Sequence, residues 1–323
     1  MNLKKLSQQL NLSQTTVSRA LNGYPEVSET TRERVAAAAA KFNYSPSVRA
    51  RTLATGRSMS IGHIIPQSRQ NEIANIVFAD FMAGASAVYA RNGYTLNLTI
   101  VEDDKELSAY RGIAERGVVD GVLVQSPIAN DPRIAHLSTL GIPFVVHGRA
   151  SDAAAPYAWL DVNNKRAIAQ VTQHMLALGH RRIAMINGQE QMDFALRRRA
   201  GFCNALEKAG IAVTPDLMSA GDMSEPNGYD AASAMLGMAD PPTAFVASSI
   251  VLALGIRRAI EERGLRLSHD VSVVCFDDDI SFLPNRGPCP PFTATRSSVR
   301  AAGARCAELL IQQIQNQNGE MAQ

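Results

Sequence analysis

Long apolar runs are missing from this sequence of 323 residues. No stretch approaches the roughly eighteen consecutive apolar residues that a helix needs to span a membrane. The first residues, MNLKKLSQQLNLSQ, also lack the apolar segment and the small-residue cleavage site of a secretory signal. We therefore expect a soluble, cytoplasmic protein that makes no contact with a membrane.

Cysteine is scarce, and its spacing argues against two kinds of site. Cys203, Cys275, Cys289 and Cys306 show no CxxC spacing and have no histidine pair nearby. They are predicted to be reduced thiols, so neither disulfides nor a metal site is expected. The GxSxG, P-loop, HExxH and GxGxxG motifs are absent as well. The sequence therefore predicts no enzyme and no cofactor.

Charge is unevenly distributed along the chain. Residues 1–60 carry nine basic and three acidic side chains, a net charge of +6, whereas the remaining residues carry 23 and 27, a net charge of −4. The length is that of two or three compact units. A basic N-terminal unit indicates a polyanionic partner such as DNA.

Two short helices are predicted at the N-terminus. Leu3, Leu6 and Leu10 have the spacing of one apolar helix face. Ser13 is a good N-cap for a second helix, QTTVSRAL, in which Val17 can pack on the first. Two such helices joined by a tight turn predict a helix-turn-helix unit.

The second helix presents polar groups that can read DNA. Gln14, Thr15, Ser18 and Arg19 point away from its packed side. Arginine can bind guanine and glutamine can bind adenine with two hydrogen bonds each, and a threonine methyl can contact thymine. An ordinary polar helix face is the alternative interpretation of the same four residues.

A third helix and a short fourth one are predicted to follow. Ser28 and Glu29 open the segment TTRERVAAAAAKF, which is rich in strong helix formers. In NYSPSVRARTLATGRS, Ser45 can cap a helix and Pro46 suits its first position. Only about two turns can follow, and a helix that short needs a partner to persist.

From Ile61 onward, short apolar runs alternate with amphipathic helical segments. The predicted strands lie in SIGHII, YTLNLTIV, GVLVQS, PFVVHG, AWLDVN, RIAMING, TAFVAS and VSVVCFD. The alternation restarts after AWLDVN, which predicts two α/β lobes with parallel sheets. Ligands bind at the carboxyl ends of such strands, so a cleft between the lobes is the expected sensor site.

Specific segments resemble the LacI/GalR family of repressors. LSQTTVSRALNG, VSETTRERV and NYSPSVRARTLATGRS look like the DNA-binding head and hinge of that family. GYTL, RGVVDGVLV, LGHRRIAMI, RRRAGF and DVSVVCFDD resemble its periplasmic-binding-protein-like core. The implied fold is α/β: a small all-α helix-turn-helix head and hinge helix, then a two-lobed core of parallel sheets flanked by helices. The implied boundaries are 1–45 for the head, 46–59 for the hinge helix and linker, 60–159 plus 293–317 for the N-terminal lobe, and 160–292 for the C-terminal lobe.

The resemblance implies how DNA is bound. The second helix would enter the major groove, and the paired hinge helices of a homodimer would enter the minor groove of a palindromic operator. Leu53, with Ala50 beside it, would pry open a central base step, which costs a few kcal/mol of unstacking; a plain linker residue is the alternative for Leu53. The expected DNA contacts are Lys4, Ser13, Gln14, Thr15, Thr16, Ser18, Arg19, Asn22, Tyr44, Ala50 and Leu53.

The resemblance also implies that the protein is a repressor controlled by a small-molecule effector, most simply a sugar, in the cleft between the lobes. The expected effector contacts are Phe78, Arg149, Asp161, Phe194, Arg198, Met223, Ser249 and Asp277. Arginine and aspartate on opposite walls suit a polyol, and an aromatic side chain suits its apolar face. The alternative interpretation is that Arg198 and Asp277 are ordinary surface ion-pairing residues that do not contact an effector.

Some residues depart from the family pattern. Its common Asn-Asp is replaced by Ser249-Ile250, and Cys275 stands where a glycine is usual. The segment HGR at 147–149 is similar to sugar-responsive members, in particular regulators of α-glucoside use. Effector identity, the direction of its effect and the operator stay open, as does a last strand after Gln323. The sequence has no trailing leucine heptad that would build a tetramer, so a dimer is the simplest assembly.

A transport-type sugar-binding protein is the competing interpretation. It would share the two-lobed core and need no DNA. The basic helix-turn-helix and the missing export signal argue against it.

Overall fold

The computed structural model describes residues 1–44 and 56–321. The helices there are α1 (Leu3–Leu10), α2 (Gln14–Leu21), α3 (Glu29–Lys41), α4 (Ile76–Arg91), α5 (Glu106–Glu115), α6 (Pro132–Leu140), α7 (Asn164–Ala177), α8 (Asp193–Lys208), α9 (Glu225–Leu236), α10 (Ile250–Glu262) and α11 (Val299–Met321). The strands are β1 (Ser60–Pro66), β2 (Thr95–Val101), β3 (Gly121–Gln125), β4 (Phe144–His147), β5 (Ala158–Leu160), β6 (Ile183–Gly188), β7 (Met218–Gly221), β8 (Ala244–Ala247), β9 (Ser272–Asp277) and β10 (Thr293–Arg296). Short 3-10 segments lie at Gln67–Ala74, Asp103–Lys105 and Pro215–Leu217.

Residues 1–44, called the head from here on, form a helical unit with its own apolar core. Leu6, Val17 and Val35 come from α1, α2 and α3 respectively and are fully buried against one another. Asn11 ends α1 in the left-handed conformation, with φ of 52°. The predicted second helix is confirmed, since α2 covers QTTVSRAL and begins directly after its cap Ser13.

The first lobe is a parallel sheet of five strands in the order β2-β1-β3-β4-β5. Helices α4 and α11 cover one face, where Ile61 and Leu123 are buried. Helices α5 and α6 cover the other, around Val122 and Val146. Strands buried on both faces are apolar throughout, which is why GVLVQ and FVVH were readable from the sequence.

The second lobe repeats the design with the order β10-β9-β8-β6-β7, again all parallel. Helices α9 and α10 pack on one face of the sheet and helices α7 and α8 on the other. The short strand β7, MSAG, was not predicted, because four residues without an apolar run leave no strand pattern.

The structure corrects one expected boundary. Residues 293–317 were expected in the first lobe, but Thr293–Arg296 pairs in parallel with Val274–Asp277 at the edge of the second sheet. Helix α11 does belong to the first lobe. A Cβ on Gly84 of α4 would lie 2.0 Å from the carbonyl oxygen of Arg300, so only glycine allows α4 and α11 to pack this closely. The chain therefore returns to the first lobe between Arg296 and Val299.

Over the residues that the structure describes, no helix combines the length and the apolar character needed to cross a membrane.

Candidate DNA-binding and effector sites

Helix α2 carries an exposed polar surface. Gln14, Thr15 and Arg19 are exposed, Ser18 is half-buried, and Val17 and Ala20 face the head core. Within residues 1–44 and 56–321 the side chains of Gln14, Thr15 and Arg19 have no hydrogen-bond or ion-pair partner. Their amide, hydroxyl and guanidinium groups are therefore available to base edges.

Three other expected DNA contacts hold the helix together. The Ser13 hydroxyl accepts a hydrogen bond of 3.0 Å from the Thr16 amide and lies 2.8 Å from the Thr16 hydroxyl. The Asn22 side chain donates to the carbonyl of Ser18 at 2.9 Å. These residues cap both ends of α2, which fixes how it is presented.

The remaining expected DNA contacts lie apart from α2. Lys4 is exposed on α1, and the half-buried Tyr44 packs against the head core. Ala50 and Leu53 lie outside the described residues.

The chain enters the first lobe through a contact that the sequence did not reveal. Asp120 accepts hydrogen bonds from the Ser58 amide at 2.7 Å, from the Ser58 hydroxyl at 2.8 Å and from the Met59 amide at 3.0 Å. The carboxylate fixes the segment just before β1, so the linker is attached firmly to the first lobe.

Arg198 lies buried at the carboxyl end of the second sheet. Its Nε donates to Asn164 at 2.8 Å, and its Nη1 donates to the carbonyl of Ser248. Its guanidinium lies 4.0 Å from the ring centroid of Phe276 and 5.0 Å from that of Phe194. Burial lowers the pKa of Arg198 to about 10. This value is still well above neutral pH, so the guanidinium remains charged. Among the described residues its Nη2 has no hydrogen-bond partner.

Other expected effector residues surround this arginine. A Cβ on Gly188, at the end of β6, would lie 3.1 Å from the Phe194 ring and 3.5 Å from Met223, so these side chains meet there. Ser249 is fully buried and caps α10, because its hydroxyl accepts from the Val251 amide at 3.2 Å. Its hydroxyl thus has a structural partner within the chain.

The structure distinguishes two neighbouring aspartates. Asp277 is buried, and its carboxylate accepts hydrogen bonds from the Asp279 amide at 2.8 Å and from Arg296 at 3.2 Å. The carboxylate of Asp278 accepts no hydrogen bond from any described residue and interacts electrostatically with Arg198, while the Asp278 carbonyl accepts from the Val299 amide at 2.9 Å. Burial raises the pKa of Asp278 to about 6. The expected effector contact at Asp277 therefore has partners in the chain, whereas Asp278 is the free acceptor.

The first lobe contributes aromatic side chains. Phe78 lines a small cavity of about 10 Å³ with His63 and Gln125, at the carboxyl ends of β1 and β3. The Arg149 guanidinium lies 5.6 Å from the Trp159 ring, and Trp159 is 45% exposed. Sequence reasoning did not select Trp159, although it is the single tryptophan and lies two residues before the expected contact Asp161.

Asp161 is held by protein groups. Its two oxygens accept from Asn164 at 3.0 Å and from Arg197 at 2.6 Å. Its side chain is 8% exposed. Asp161 therefore orients neighbouring side chains within the second lobe.

The two lobes meet in several places. Ile128 and Met192 form an antiparallel bridge, and the Asp193 amide donates to the carbonyl of Pro127 at 2.9 Å. The Ser151 amide donates to the Asp193 carboxylate at 3.3 Å. The residues after β3 and β4 thus contact the first turn of α8, the helix that also carries Arg198.

In the ranges 1–44 and 56–321, no cluster of three His, Cys, Asp or Glu side chains has a geometry suited to a metal ion.

A helix-turn-helix head joined to a two-lobed α/β core defines the class of ligand-responsive DNA-binding regulators. The family described as "Bacterial regulatory proteins, lacI family" matches residues 3–47. The family described as "Periplasmic binding proteins and sugar binding domain of LacI family" matches residues 58–323. The chain belongs to the LacI family of transcription regulators, which confirms the predicted family and fold.

Named relatives agree. The HTH-type transcriptional regulator AglR of Rhizobium meliloti (strain 1021) is 43% identical over 318 residues, which cover 98% of this chain and 88% of that protein. The structure of the Lac repressor dimer bound to operator and the anti-inducer ONPF has a TM-score of 0.81 at 26% identity, covering 98% and 93% of the two chains. The complex of the regulator CelR with cellobiose has a TM-score of 0.69 at 28% identity, with 98% and 94% coverage. These relatives are transcription regulators, and the transport-type alternative is not favoured.

Proposed function

We propose that the protein is a cytoplasmic, non-enzymatic repressor that binds a palindromic operator as a homodimer and is controlled by a sugar in the cleft. The observation that carries the effector assignment is the pairing of a free donor, Nη2 of Arg198, with a free acceptor, the carboxylate of Asp278. A sugar hydroxyl both donates and accepts, so it can bind the two groups at once.

Aromatic rings support the sugar class. Phe194 lies beside Arg198, and the half-exposed Trp159 lies under Arg149. Aromatic faces suit the apolar side of a sugar ring, and few polar groups then fix its orientation. The solved complex of the similar regulator CelR contains cellobiose, which is a disaccharide.

Within the sugars we propose an α-glucoside. The segment HGR at 147–149 and the 43% identity to AglR favour this subgroup. The test is a thermal-shift panel of maltose, trehalose and sucrose against cellobiose, lactose and hypoxanthine. A bound ligand at a hundredfold excess over its Kd stabilises the fold by about 2.7 kcal/mol. Stabilisation by hypoxanthine alone would overturn the sugar assignment, and stabilisation by cellobiose alone would overturn the α-glucoside.

Variants locate the effector. Arg198→Met and Asp278→Asn should each weaken binding of the sugar at least tenfold and leave operator affinity within threefold of wild type. Asp277→Asn should act mainly on stability, because Asp277 is bound by Arg296. Strong loss of sugar binding in Asp277→Asn with none in Asp278→Asn would reverse the assignment.

For DNA, we propose that α2 reads the major groove through Gln14, Thr15, Ser18 and Arg19 and that Leu53 wedges the minor groove. Specific binding should weaken steeply with salt, because phosphate contacts release counterions. Leu53→Ala should weaken operator binding and reduce DNA bending in a gel-shift phasing assay. Equal affinity for operator and random DNA would contradict the proposal that the protein is a sequence-specific repressor.

We propose that the dimer forms through strand β2. Leu96, Leu98 and Ile100 alternate along this edge strand, and all three are exposed, at 38%, 40% and 51%. An apolar edge strand is normally covered by a partner. A second copy is the proposed partner because the similar Lac repressor has been solved as a dimer.

A further inference from the structure

Three consecutive arginines in RRRAGF lie in three different environments. Arg198 faces the proposed effector, as described above. Arg199 is half-exposed and lies 3.5 Å from Glu190 at the surface. Arg197 is mostly buried, with 15% of its side chain exposed, and lies between two carboxylates. Sequence alone gives the three residues the same character.

The guanidinium of Arg197 joins two acidic side chains. Its Nη1 lies 2.6 Å from Asp161, and its Nε lies 2.6 Å from Asp193. These carboxylates are only 8% and 2% exposed. The contact of Nη1 with Asp161 is a hydrogen bond, whereas the contact of Nε with Asp193 is an ion pair that does not have hydrogen-bond geometry. Removing Arg197 would leave the two carboxylates buried without their partner charge, which is costly. The three side chains are therefore held in this arrangement.

On one side, the network reaches the contact between the lobes. The Asp193 carboxylate accepts from the Ser151 amide of the first lobe at 3.3 Å. The Asp193 amide donates to Pro127, also in the first lobe, at 2.9 Å. Arg197 therefore fixes the carboxylate that joins α8 to the other lobe.

On the other side, the network reaches Arg198. Asp161 accepts from the Asn164 side chain at 3.0 Å, and Asn164 accepts from Nε of Arg198 at 2.8 Å. A continuous series of hydrogen bonds and ion pairs thus runs from Ser151 to Arg198, and Arg197 is at its centre.

We infer that Arg197 is a positioning residue that couples effector binding at Arg198 to the contact between the two lobes. The inference rests on the proposed effector site. Two sites are coupled when both act on the arrangement of one shared structural element. The Asp161–Arg197–Asp193 group is such an element, because it is connected to Arg198 on one side and to the contact between the lobes on the other. Arg197 does not touch the effector itself, so its loss should reduce the coupling more than the affinity.

The first experiment needs no ligand. Hydrogen exchange of the full chain is compared for wild type, Arg197→Met and the matched control Arg199→Met. We expect the amides of Ser151 and Asp193 to exchange at least tenfold faster in Arg197→Met and at the wild-type rate in Arg199→Met. Unchanged protection at both amides in Arg197→Met would overturn the inference. Asp193→Asn breaks the same contact with little change of shape and gives the same test if Arg197→Met does not fold.

The second experiment measures the coupling with maltose as the probe. The Kd for an operator selected from random duplex DNA is measured with and without maltose. In Arg197→Met we expect the ratio of the two Kd values to move at least fivefold toward unity, while the maltose Kd of the free protein changes less than threefold. Arg197→Lys should restore part of the ratio. A wild-type ratio in Arg197→Met, or a loss of maltose binding as large as in Arg198→Met, would contradict coupling. If wild type does not bind maltose, the α-glucoside proposal fails and the exchange experiment alone decides the role of Arg197.

Discussion

The carboxylate of Asp80 accepts two hydrogen bonds from Ser281, one from its amide at 3.1 Å and one from its hydroxyl at 3.2 Å. Asp80 lies on α4 of the first lobe, and Ser281 follows β9 of the second. Arg300, at the start of α11, also binds Asp80 at 2.5 Å. Because α11 begins where the chain returns to the first lobe, this carboxylate holds the lobes together beside one of their connections.

Replacing Asp80 with asparagine should destabilise the protein by about 1–3 kcal/mol, because hydrogen bonds to a charged, buried group are lost. Urea unfolding followed by circular dichroism measures the change. Asp240→Asn is the matched control, since Asp240 is 82% exposed in its ion pair with Arg182 and should cost less than about 0.5 kcal/mol. Equal losses in the two variants would contradict a special role for Asp80.

Ser13→Ala and Arg19→Met should separate folding of the head from DNA reading. Ser13 accepts from the Thr16 amide, so its loss should cost the head about 0.5–2 kcal/mol of stability. Arg19 is exposed, and its replacement should leave stability unchanged but weaken operator binding by about 1–3 kcal/mol. Thermal unfolding and fluorescence anisotropy with operator DNA measure the two effects. An Arg19→Met variant that discriminates operator from random DNA as well as wild type would show that Arg19 reads no base.

Burial of His63 should make the protein sensitive to acid. Burial lowers the pKa of His63 from 6.5 to about 3, and the ring lies 3.3 Å from the Tyr89 hydroxyl. Between these pH values the unfolded chain binds a proton that the folded chain does not, so stability falls as pH falls from about 6.5. This contribution is complete above pH 6.5 and its slope is at most about 1.4 kcal/mol per pH unit.

The variant His63→Gln isolates this effect. Chemical unfolding at pH values from 7 to 4.5 should show a shallower acid loss than in wild type. The exposed His269→Gln serves as the control and should keep the wild-type slope. Identical slopes in wild type and His63→Gln would show that His63 does not contribute to the acid loss.

The sequence predicted the features that depend on local pattern. Leu6 and Val17 define apolar helix faces, and GVLVQ is apolar because β3 is buried on both sides. Strand β10 was not predicted from the sequence, because TATR lies at a sheet edge and has no apolar run. It is recognised only through its pairing with β9.

The site was harder to predict because it depends on where each side chain points in the fold, and residue type alone does not give that direction. Asp277 and Asp278 are chemically identical, and the distinction between them arises from Arg296, nineteen residues after Asp277. Arg197 and Arg198 are adjacent, and only the helix geometry directs one to a pair of carboxylates and the other to Phe276. Resemblance supplied Arg198 but gave no reason to select Arg197 or Trp159.

Replacing Leu98 with lysine should convert a dimer to monomers. In strand β2 the apolar side chains point outward, because Leu96, Leu98 and Ile100 are exposed while the intervening Asn97 and Thr99 are half-buried. In a symmetric dimer the same surface occurs on both copies, so each Leu98→Lys contact would bury two like charges without partners. Sedimentation velocity should show the monomer at concentrations where wild type is dimeric, and operator affinity should fall with it.

Leu178→Lys provides the control, because Leu178 is 61% exposed at the end of α7, in the second lobe and away from β2. The same charge there should leave both assembly and operator affinity at wild-type values. A Leu98→Lys protein that remains dimeric would place the interface elsewhere, and the next candidate is Phe282, which is 83% exposed in the second lobe. Dissociation of both variants alike would mean that added charge, rather than the β2 surface, separates the subunits.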